Sequence, residues 1–531
     1  MRLERPRRFL PPLALAGLAL LAGREARAQD LRVRIGREGL QSLNYRGIEF
    51  VESPGLGVNR AVLRGGDGSA AEGSPREQRR EIDPAGRRLA LTYAWGEVAC
   101  SFDPGPDRLR LAIEIVNSGP AVLAELGMTV APMKFPRTPA GWVPHMPYRS
   151  FNLGGPTVIT ADVGEAVVAV CNEDVARPLL LGWAGRQSTT QRPLILGTAS
   201  DWMQALLNPL MARPLFPGGR DRFEISLRFA PGGTPIEKLA GDLFARFAEA
   251  HPFRLAWKDR RPIGAVHLSS SDLKAEKNPR GWFNDRAADF LSDEGRRAFR
   301  ERLLARARET VAILKDLGAQ GAITWDVEGQ EYPHAISYLG DPRSLPPEME
   351  PAADEYFKVF SEAGLRTGVT LRPQLPVRSA YGEGVRQIES ADPFETLEAK
   401  LSYAKKRWGC TLFYVDSNGD PNVPFPAEIF SRLAARHPDV LLIPEHENPQ
   451  YYASCAPYRC YGNLKQRGTP AEVRRIYPEA FCCIAVAHAD PRPDLASLVE
   501  DVRRGDVLIV NAWYRGPGLE TVREILRAAG R

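Results

Sequence analysis

Carboxylates recur at the ends of apolar runs in this 531-residue chain. Thr411-Leu-Phe-Tyr-Val-Asp-Ser-Asn418 carries Leu412, Tyr414, Asp416 and Asn418 at alternate positions, so a strand puts all four on one face. Val440-Leu-Leu-Ile-Pro-Glu-His-Glu447 repeats the pattern with Leu441, Ile443, Glu445 and Glu447, and Ala322-Ile-Thr-Trp-Asp-Val-Glu328 groups Thr324, Asp326 and Glu328. Two neighbouring carboxyl groups can divide labour. The ionised one attacks or activates water, while the other, its pKa raised by adjacent negative charge, donates a proton. Strands that neighbour each other would bring Asp416 and Glu445 together for that purpose, Asp416 as nucleophile and Glu445 as acid/base, with Glu447 the competitor for the second task. Asp326 and Glu328 are expected to grip substrate hydroxyls.

The elements that must position these groups alternate after Pro262. Strands are expected at 263–268, 322–328, 367–372, 411–416, 440–445, 458–463, 481–488 and 506–511, with helices between most of them, including 296–317, 352–363, 393–408, 426–436, 495–503 and 519–529. Eight strands over roughly 270 residues match the size of a (β/α)8 TIM barrel, an α/β fold whose chemistry sits at the C-terminal strand ends. An open doubly wound sheet is the alternative, but no Gly-rich phosphate loop follows the first strand. The inward faces then carry His267 and Ser269, Asp326 and Glu328, Arg372 and Gln374, Asp416 and Asn418, Glu445 and Glu447, His488 and Asp490, and Asn511 and Trp513. So much polarity inside a barrel points to a binding pocket. Singly, each residue also has a plainer use: His267 or His488 as a hydrogen-bonded strand end, Asp490 as a helix cap, Glu447 as an ion-pair partner of His446.

Aromatic residues crowd the same loops: Trp282, Phe283, Trp325, Tyr332, Tyr338, Tyr381, Trp513 and Tyr514. Flat rings beside carboxylates suit sugar rings, which present an apolar face of axial hydrogens and a rim of hydroxyls. Trp325, opposite Asp326 in the strand alternation, is expected to pack against a helix.

Upstream, Leu31 to about Ala230 reads as an all-β sandwich. Leu31–Ile35, Arg88–Tyr93, Leu109–Val116 and Phe223–Phe229 alternate apolar and polar residues, and Pro104-Gly-Pro-Asp107 and Asn117-Ser-Gly-Pro120 supply turns. Residues 65–87 are expected to form an exposed excursion. Ile236, Leu239, Leu243, Phe244 and Phe247 recur at helical spacing, so 235–261 is read as a linker helix and loop between a sandwich at 29–234 and a barrel at 262–531, the helix being equally readable as the last element of the sandwich. Residues 1–28 have the form of a signal peptide: basic Arg2, Arg5, Arg7 and Arg8, a short apolar core from Leu10 to Ala22, and the small-x-small Ala26-Arg27-Ala28. The expectation is a periplasmic or secreted protein with no membrane span. That leader holds six Arg and two Glu of a net +5, so the remainder is near neutral and no nucleic-acid partner is expected. Seven Cys are too few for a disulfide scaffold, although Cys455 and Cys460 are close enough to bridge; Cys100, Cys171, Cys410 and Cys482 are expected as buried thiols.

With these residues in place, the chain resembles the glycoside hydrolases that join a galactose-mutarotase-like β-sandwich to a catalytic TIM barrel. Tyr414-Val-Asp416 is similar to the fourth-strand motif bearing the nucleophilic Asp in the alpha-galactosidase clan and in related alpha-glucosidases. The order Asp416, Glu445, Asp490, with His488 before the last, is similar to the nucleophile, acid/base and transition-state stabiliser of the alpha-amylase clan. Two departures stand out: Tyr414 replaces the alpha-amylase Arg, and Ala456 to Leu464 holds no counterpart of the sixth-strand acid of the alpha-galactosidase clan. The resemblance implies hydrolysis of an oligo- or polysaccharide. No cofactor is expected to be required, and the Asp and Glu oxygens would suit Ca2+ as a supporting ion. Two other classes compete. One is a carbohydrate-binding barrel without catalysis; the other is a metal-dependent hydrolase, disfavoured because the first strand offers a lone His267 where such barrels place a His-x-His pair.

Overall fold

Leu109, Leu111, Ile113 and Ile115 face inward along the strand Arg108–Asn117, and the polar residues between them stay at the surface, because successive side chains of a strand point to opposite sides. The structure is a computed structural model that describes residues 30–67, 69–137, 148–149, 158–175, 180–183, 191–198, 215–270, 273–330, 338–378, 385–420, 423–460, 468–486, 491–512 and 517–531. The leader expected over 1–28 lies outside the described residues. A seven-stranded and a six-stranded antiparallel sheet form the N-terminal sandwich, and their inner faces share one core that includes Tyr93, Ile113, Met128, Val168 and Phe229. Residues 65–87 are not an excursion. Ala70–Gly73 is the edge of the six-stranded sheet, and Glu77–Ile82 pairs with Arg88–Tyr93 as the edge of the other. The polar composition that suggested a loop is that of an edge strand, where charged side chains discourage pairing with a second chain.

Helix α1 (Ile236–Ala250) follows the last sandwich strand, and a buried ionic network fixes it there. Arg228, on that strand, reaches Glu173 at 2.7 Å and also pairs with Asp242 of α1, while Arg246 of α1 meets Glu173 at 2.7 Å. Arg228 is 3% exposed. Arg228→Met should leave Glu173 and Asp242 short of a cation and destabilise the protein by about 3 kcal/mol or more, read as a lower urea midpoint with an unchanged slope.

The barrel consists of strands β1 (Ile263–Val266), β2 (Gly321–Thr324), β3 (Arg366–Leu371), β4 (Leu412–Val415), β5 (Leu441–Pro444), β6 (Tyr458–Cys460), β7 (Cys483–Ala485) and β8 (Val507–Asn511). Its helices are α2 (Asp293–Asp316), α3 (Glu350–Glu362), α4 (Pro393–Trp408), α5 (Ala427–Arg436), α6 (Ala471–Ile476), α7 (Leu495–Arg503) and α8 (Pro517–Ala528). The strands are parallel in the order 5-4-3-2-1-8-7-6, a (β/α)8 arrangement. Start and stop signals are local: Asp392 caps α4 by accepting from Glu395 N–H, and Gly409 ends it at φ +66°, turning the chain into β4.

Between β5 and β6 the ladder lapses. Ala456 N–H donates to Leu442 C=O at 3.0 Å, and the connection is a short 3-10 turn, Pro449–Ala453, instead of an α-helix. Helix α1 takes that place in the helical layer: Leu243 and Phe247 share a core with Tyr452, Ala453 and Tyr477, and Tyr477 O–H donates to His251 C=O at 2.6 Å. The helix leaving the sandwich is therefore also a wall of the barrel. Side chains close the seam as well, since Arg459 of β6 grips Glu447 beyond β5 at 2.7 and 2.9 Å.

The barrel interior is filled by Ile263, Ala265, Ile323, Trp325, Leu412, Tyr414, Leu441, Ile443, Cys483, Val507 and Ile509. Here β2 departs from expectation by one residue. Trp325 does not pack against a helix; its ring lies inside, 4.5 Å from Tyr414. The opposite phase, Thr324 and Asp326, faces the helical layer, with Thr324 Oγ1 3.0 Å from the Tyr356 hydroxyl of α3. Turning the large indole inward buries far more apolar surface than turning Thr324 inward would.

Candidate active site

Asp416 is the first residue beyond β4, and its N–H is fixed to Leu371 C=O at 2.8 Å. Arg372, the first residue beyond β3, forms an ion pair with Asp416 through two guanidinium nitrogens. The same guanidinium donates to Tyr338 C=O at 2.7 Å and Gln387 Oε1 at 3.0 Å, and lies 4.4 Å from the Tyr338 ring centroid. Burial, then the Asp416 charge, holds the Tyr338 hydroxyl well above the usual tyrosine value. Ser417 then adopts φ +53°, a left-handed turn uncommon outside glycine, which aims its N–H at Glu445 Oε2, 2.8 Å away.

Glu445 follows β5 and is hydrogen-bonded to Asp416. Burial, then that hydrogen bond and the Asp416 charge, push the Glu445 carboxyl up to about 7, against the pull of Ser417 N–H and Arg372. The His446 ring stands 3.5 Å from Glu445 Oε2. A carboxyl group paired with a guanidinium thus neighbours one that keeps its proton near neutrality. That is the division of tasks acid/base and nucleophilic chemistry requires.

The other expected site residues are distributed differently. Asn418 is fully buried and locks the β4 loop to the β5 loop, accepting from His446 N–H at 3.0 Å and donating to His446 C=O at 3.3 Å, so it does not face a substrate. Glu447 turns away from the pair and is consumed by Arg459 and the Tyr452 hydroxyl. Its carboxyl is raised by burial, and the partner is Arg459 instead of His446. Asp326, 1% exposed, accepts from Leu268 N–H at 2.7 Å and Ser269 N–H at 2.8 Å, which ties the end of β1 to β2. Glu328, 2% exposed, accepts from Gly340 N–H. Neither can grip a substrate hydroxyl, because both carboxylates are enclosed; burial raises Asp326 to about 6 and Glu328 to about 7. Trp282 is likewise core and no sugar platform: it is fully buried, its indole N–H on Glu348 at 2.9 Å and its ring edge-on to Phe299. His267 is half-buried at the end of β1, 5.3 Å from the Trp325 ring, and Asn511 ends β8 beside Ala265. His488, Asp490 and Trp513 lie outside the described residues, as do Tyr332, Tyr381 and Tyr514.

Two contributors escaped the sequence reading as site residues. Tyr338 figured only as one loop aromatic among many. Lys400 interrupts the apolar face Leu397, Leu401 and Ala404 of α4, and a lysine at a core-facing position needs acceptors, which was the available signal. It is fully buried and donates to Arg372 C=O and Gln374 C=O, both at 2.7 Å. Burial pulls its ammonium down to about 8.

The raised Glu328 carboxyl has a consequence for stability. Its folded pKa of about 7 exceeds the ordinary glutamate value of 4.5, so the folded state binds more protons than the unfolded state between those limits. Its contribution is full below the unfolded value and is lost as pH rises through the folded one. Relative to Glu328→Gln, wild-type stability should therefore fall between about pH 4.5 and 7, measured as the difference in urea midpoint at each pH.

Among the described residues, no group of three or more His, Cys, Asp or Glu could hold a metal ion, and no helix is long and apolar enough to cross a membrane. Cys100, Cys171, Cys410, Cys455, Cys482 and Cys483 are buried free thiols, and the side chain of Cys460, considered as a partner for Cys455, lies outside the described residues.

No protein-family model and no curated protein sequence matches the chain. Solved structures do. An alpha-galactosidase from Lactobacillus brevis is 12% identical at a TM-score of 0.43, covering 99% of this chain and 80% of its own. A GH36 alpha-galactosidase from Geobacillus stearothermophilus, in complex with 1-deoxygalactonojirimycin, is 11% identical at 0.40, covering 95% and 85%. The alpha-N-acetylgalactosaminidase NagBb from Bifidobacterium bifidum, in complex with GalNAc, is 12% identical with a TM-score of 0.54 and covers 94% of this chain and 92% of its own. With this last structure the chain shares its fold, a β-sandwich followed by a (β/α)8 barrel, across nearly its whole length.

Proposed function

We propose that the protein is an exported glycoside hydrolase that cleaves O-glycosidic bonds with retention of configuration, Asp416 being the nucleophile and Glu445 the acid/base. The contact between these two carboxyls carries the reading. Retaining pairs stand about 5–5.5 Å apart and inverting pairs about 6.5–9.5 Å, so a pair in which Asp416 acts directly on the Glu445 carboxyl favours the closer, retaining spacing. Arg372 pairs with Asp416 through two guanidinium nitrogens, and Glu445 holds the proton that the leaving oxygen needs. A sugar settling over the mouth replaces the direct hydrogen bond with its anomeric carbon on one side and its glycosidic oxygen on the other. Asp416 attacks the carbon while Glu445 protonates the oxygen. Glu445, now a carboxylate, takes a proton from the water that releases the sugar from Asp416. Export rests on the basic and apolar character of residues 1–28 and the Ala26-Arg27-Ala28 site.

One observation favours a second reading, a carbohydrate-binding barrel without turnover: Asp416 is already engaged by two guanidinium nitrogens of Arg372. A panel of aryl glycosides and oligosaccharides separates the two. Because NagBb is described with GalNAc, galactose-type α-glycosides come first in the panel. The proposed function predicts release of sugar by the wild type and none by Asp416→Asn. Binding of a panel member by both, with no product from either, would support the second reading.

A further inference from the structure

Behind the Asp416–Glu445 pair lies a second layer of buried charge that the chemistry does not itself use. Glu328, in the turn after β2, accepts from Gly340 N–H, and Gly340 C=O accepts from Arg372 N–H at 2.9 Å. Gly340 sits at φ +60°, and a Cβ there would lie 2.6 Å from Arg372 Cγ and 2.7 Å from Arg372 N, so only glycine allows this approach. From the other side, Lys400 of α4 holds Arg372 C=O at 2.7 Å. Gln387 completes the enclosure, accepting from Arg372 Nη1 at 3.0 Å and donating to Leu339 C=O at 2.8 Å. The backbone N–H, backbone C=O and guanidinium of one arginine are thus all fixed by the segment Tyr338–Gly340 and α4.

Such an arrangement is costly if it serves stability alone. Lys400 is fully buried, with its nearest carboxylate, Asp341, 3.9 Å away and shared with Arg343. Glu328 Oε2 is buried and has no hydrogen-bond donor among the described residues. We propose that Glu328, Gly340 and Lys400 are positioning residues that hold Arg372 against Asp416, a role that rests on reading Asp416 and Glu445 as the reacting pair. The relay is directional: Glu328 fixes Gly340, Gly340 and Lys400 fix Arg372, and Arg372 sets the field at both carboxyls.

The groups facing Arg372 are Asp416, Glu445, Glu328, Tyr338 and Lys400, and of these Glu445 reports its position. Arg372 pulls the Glu445 titration down, so loosening it must raise that titration. The test compares Glu328→Gln, which keeps an acceptor for Gly340 N–H, with Glu328→Ala and Lys400→Met, which remove the hold. Carbon-13 NMR of the Asp and Glu carboxyls follows the titrations without any substrate, and kcat and KM are measured on the substrate identified by the panel. In Glu328→Ala and Lys400→Met, the Glu445 midpoint should move up by about one unit, and kcat should fall about tenfold or more with KM nearly unchanged. Glu328→Gln should stay close to wild type in both measurements. Folded Glu328→Ala and Lys400→Met proteins with wild-type carboxyl titrations would overturn the proposal, and so would a Gln variant as impaired as the Ala variant. If no substrate is ever turned over, the glycosidase reading fails while the titrations still decide whether these residues position Arg372.

Discussion

Asp416→Asn should retain the barrel and lose roughly four orders of magnitude or more in turnover. The amide cannot form the acylal linkage to the anomeric carbon, and no other carboxylate is placed to replace it. Glu445 is committed to the proton, Glu447 to Arg459, and Asp326 and Glu328 are enclosed. Part of the loss could arise from misfolding, because Arg372 would be left with a neutral partner. Asn keeps one acceptor oxygen, however, and Arg372 also donates to Tyr338 C=O and Gln387. A modestly lowered Tm with native far-UV and near-UV circular dichroism is the expected companion result. Turnover near the wild-type rate would remove Asp416 from the mechanism.

Glu445→Gln should behave in a way that depends on the leaving group. An activated phenol departs without protonation, so formation of the glycosyl-enzyme from such an aryl glycoside should remain near wild type. Natural linkages, whose alkoxide leaves poorly, should lose roughly 10²–10⁴-fold. The pH profile supplies an independent sign. The acid holds its proton up to about pH 7, so wild-type activity on natural linkages should fall above that value, and the alkaline limb should vanish in the Gln variant. The comparison is made within a single protein, which cancels most effects on folding. Glu447→Gln should instead act on stability, since it leaves Arg459, 2% exposed, without its carboxylate at the β5–β6 seam.

What could be read in advance follows from which forces are local. Period-two runs such as Leu412–Val415 and Leu441–Pro444 exposed the barrel strands, because burial of alternate residues is written into each segment. The pairing of Asp416 with Glu445 followed, since both continue an inward apolar row. In β2 two phases compete: Asp326 and Glu328 suggest an inward carboxylate row, whereas the apolar phase is Ile323 and Trp325, and packing decides for the latter. Trp282 looked like a sugar platform because its burial depends on Phe299 and Glu348, neither adjacent in sequence. The roles of Tyr338 and Lys400 are tertiary in the same sense. So is α1: nothing within 236–250 announces that it fills the gap left by a missing helix some 200 residues later.

The most direct test of the Asp416–Glu445 assignment is the configuration of the first product. Proton NMR of the anomeric region, recorded within minutes of adding enzyme and before mutarotation, distinguishes the two outcomes. A pair close enough to share a hydrogen bond predicts that the first-formed sugar has the anomeric configuration of the substrate. Appearance of the opposite anomer first would contradict the account, because it would require room for a water between two neighbouring carboxyls.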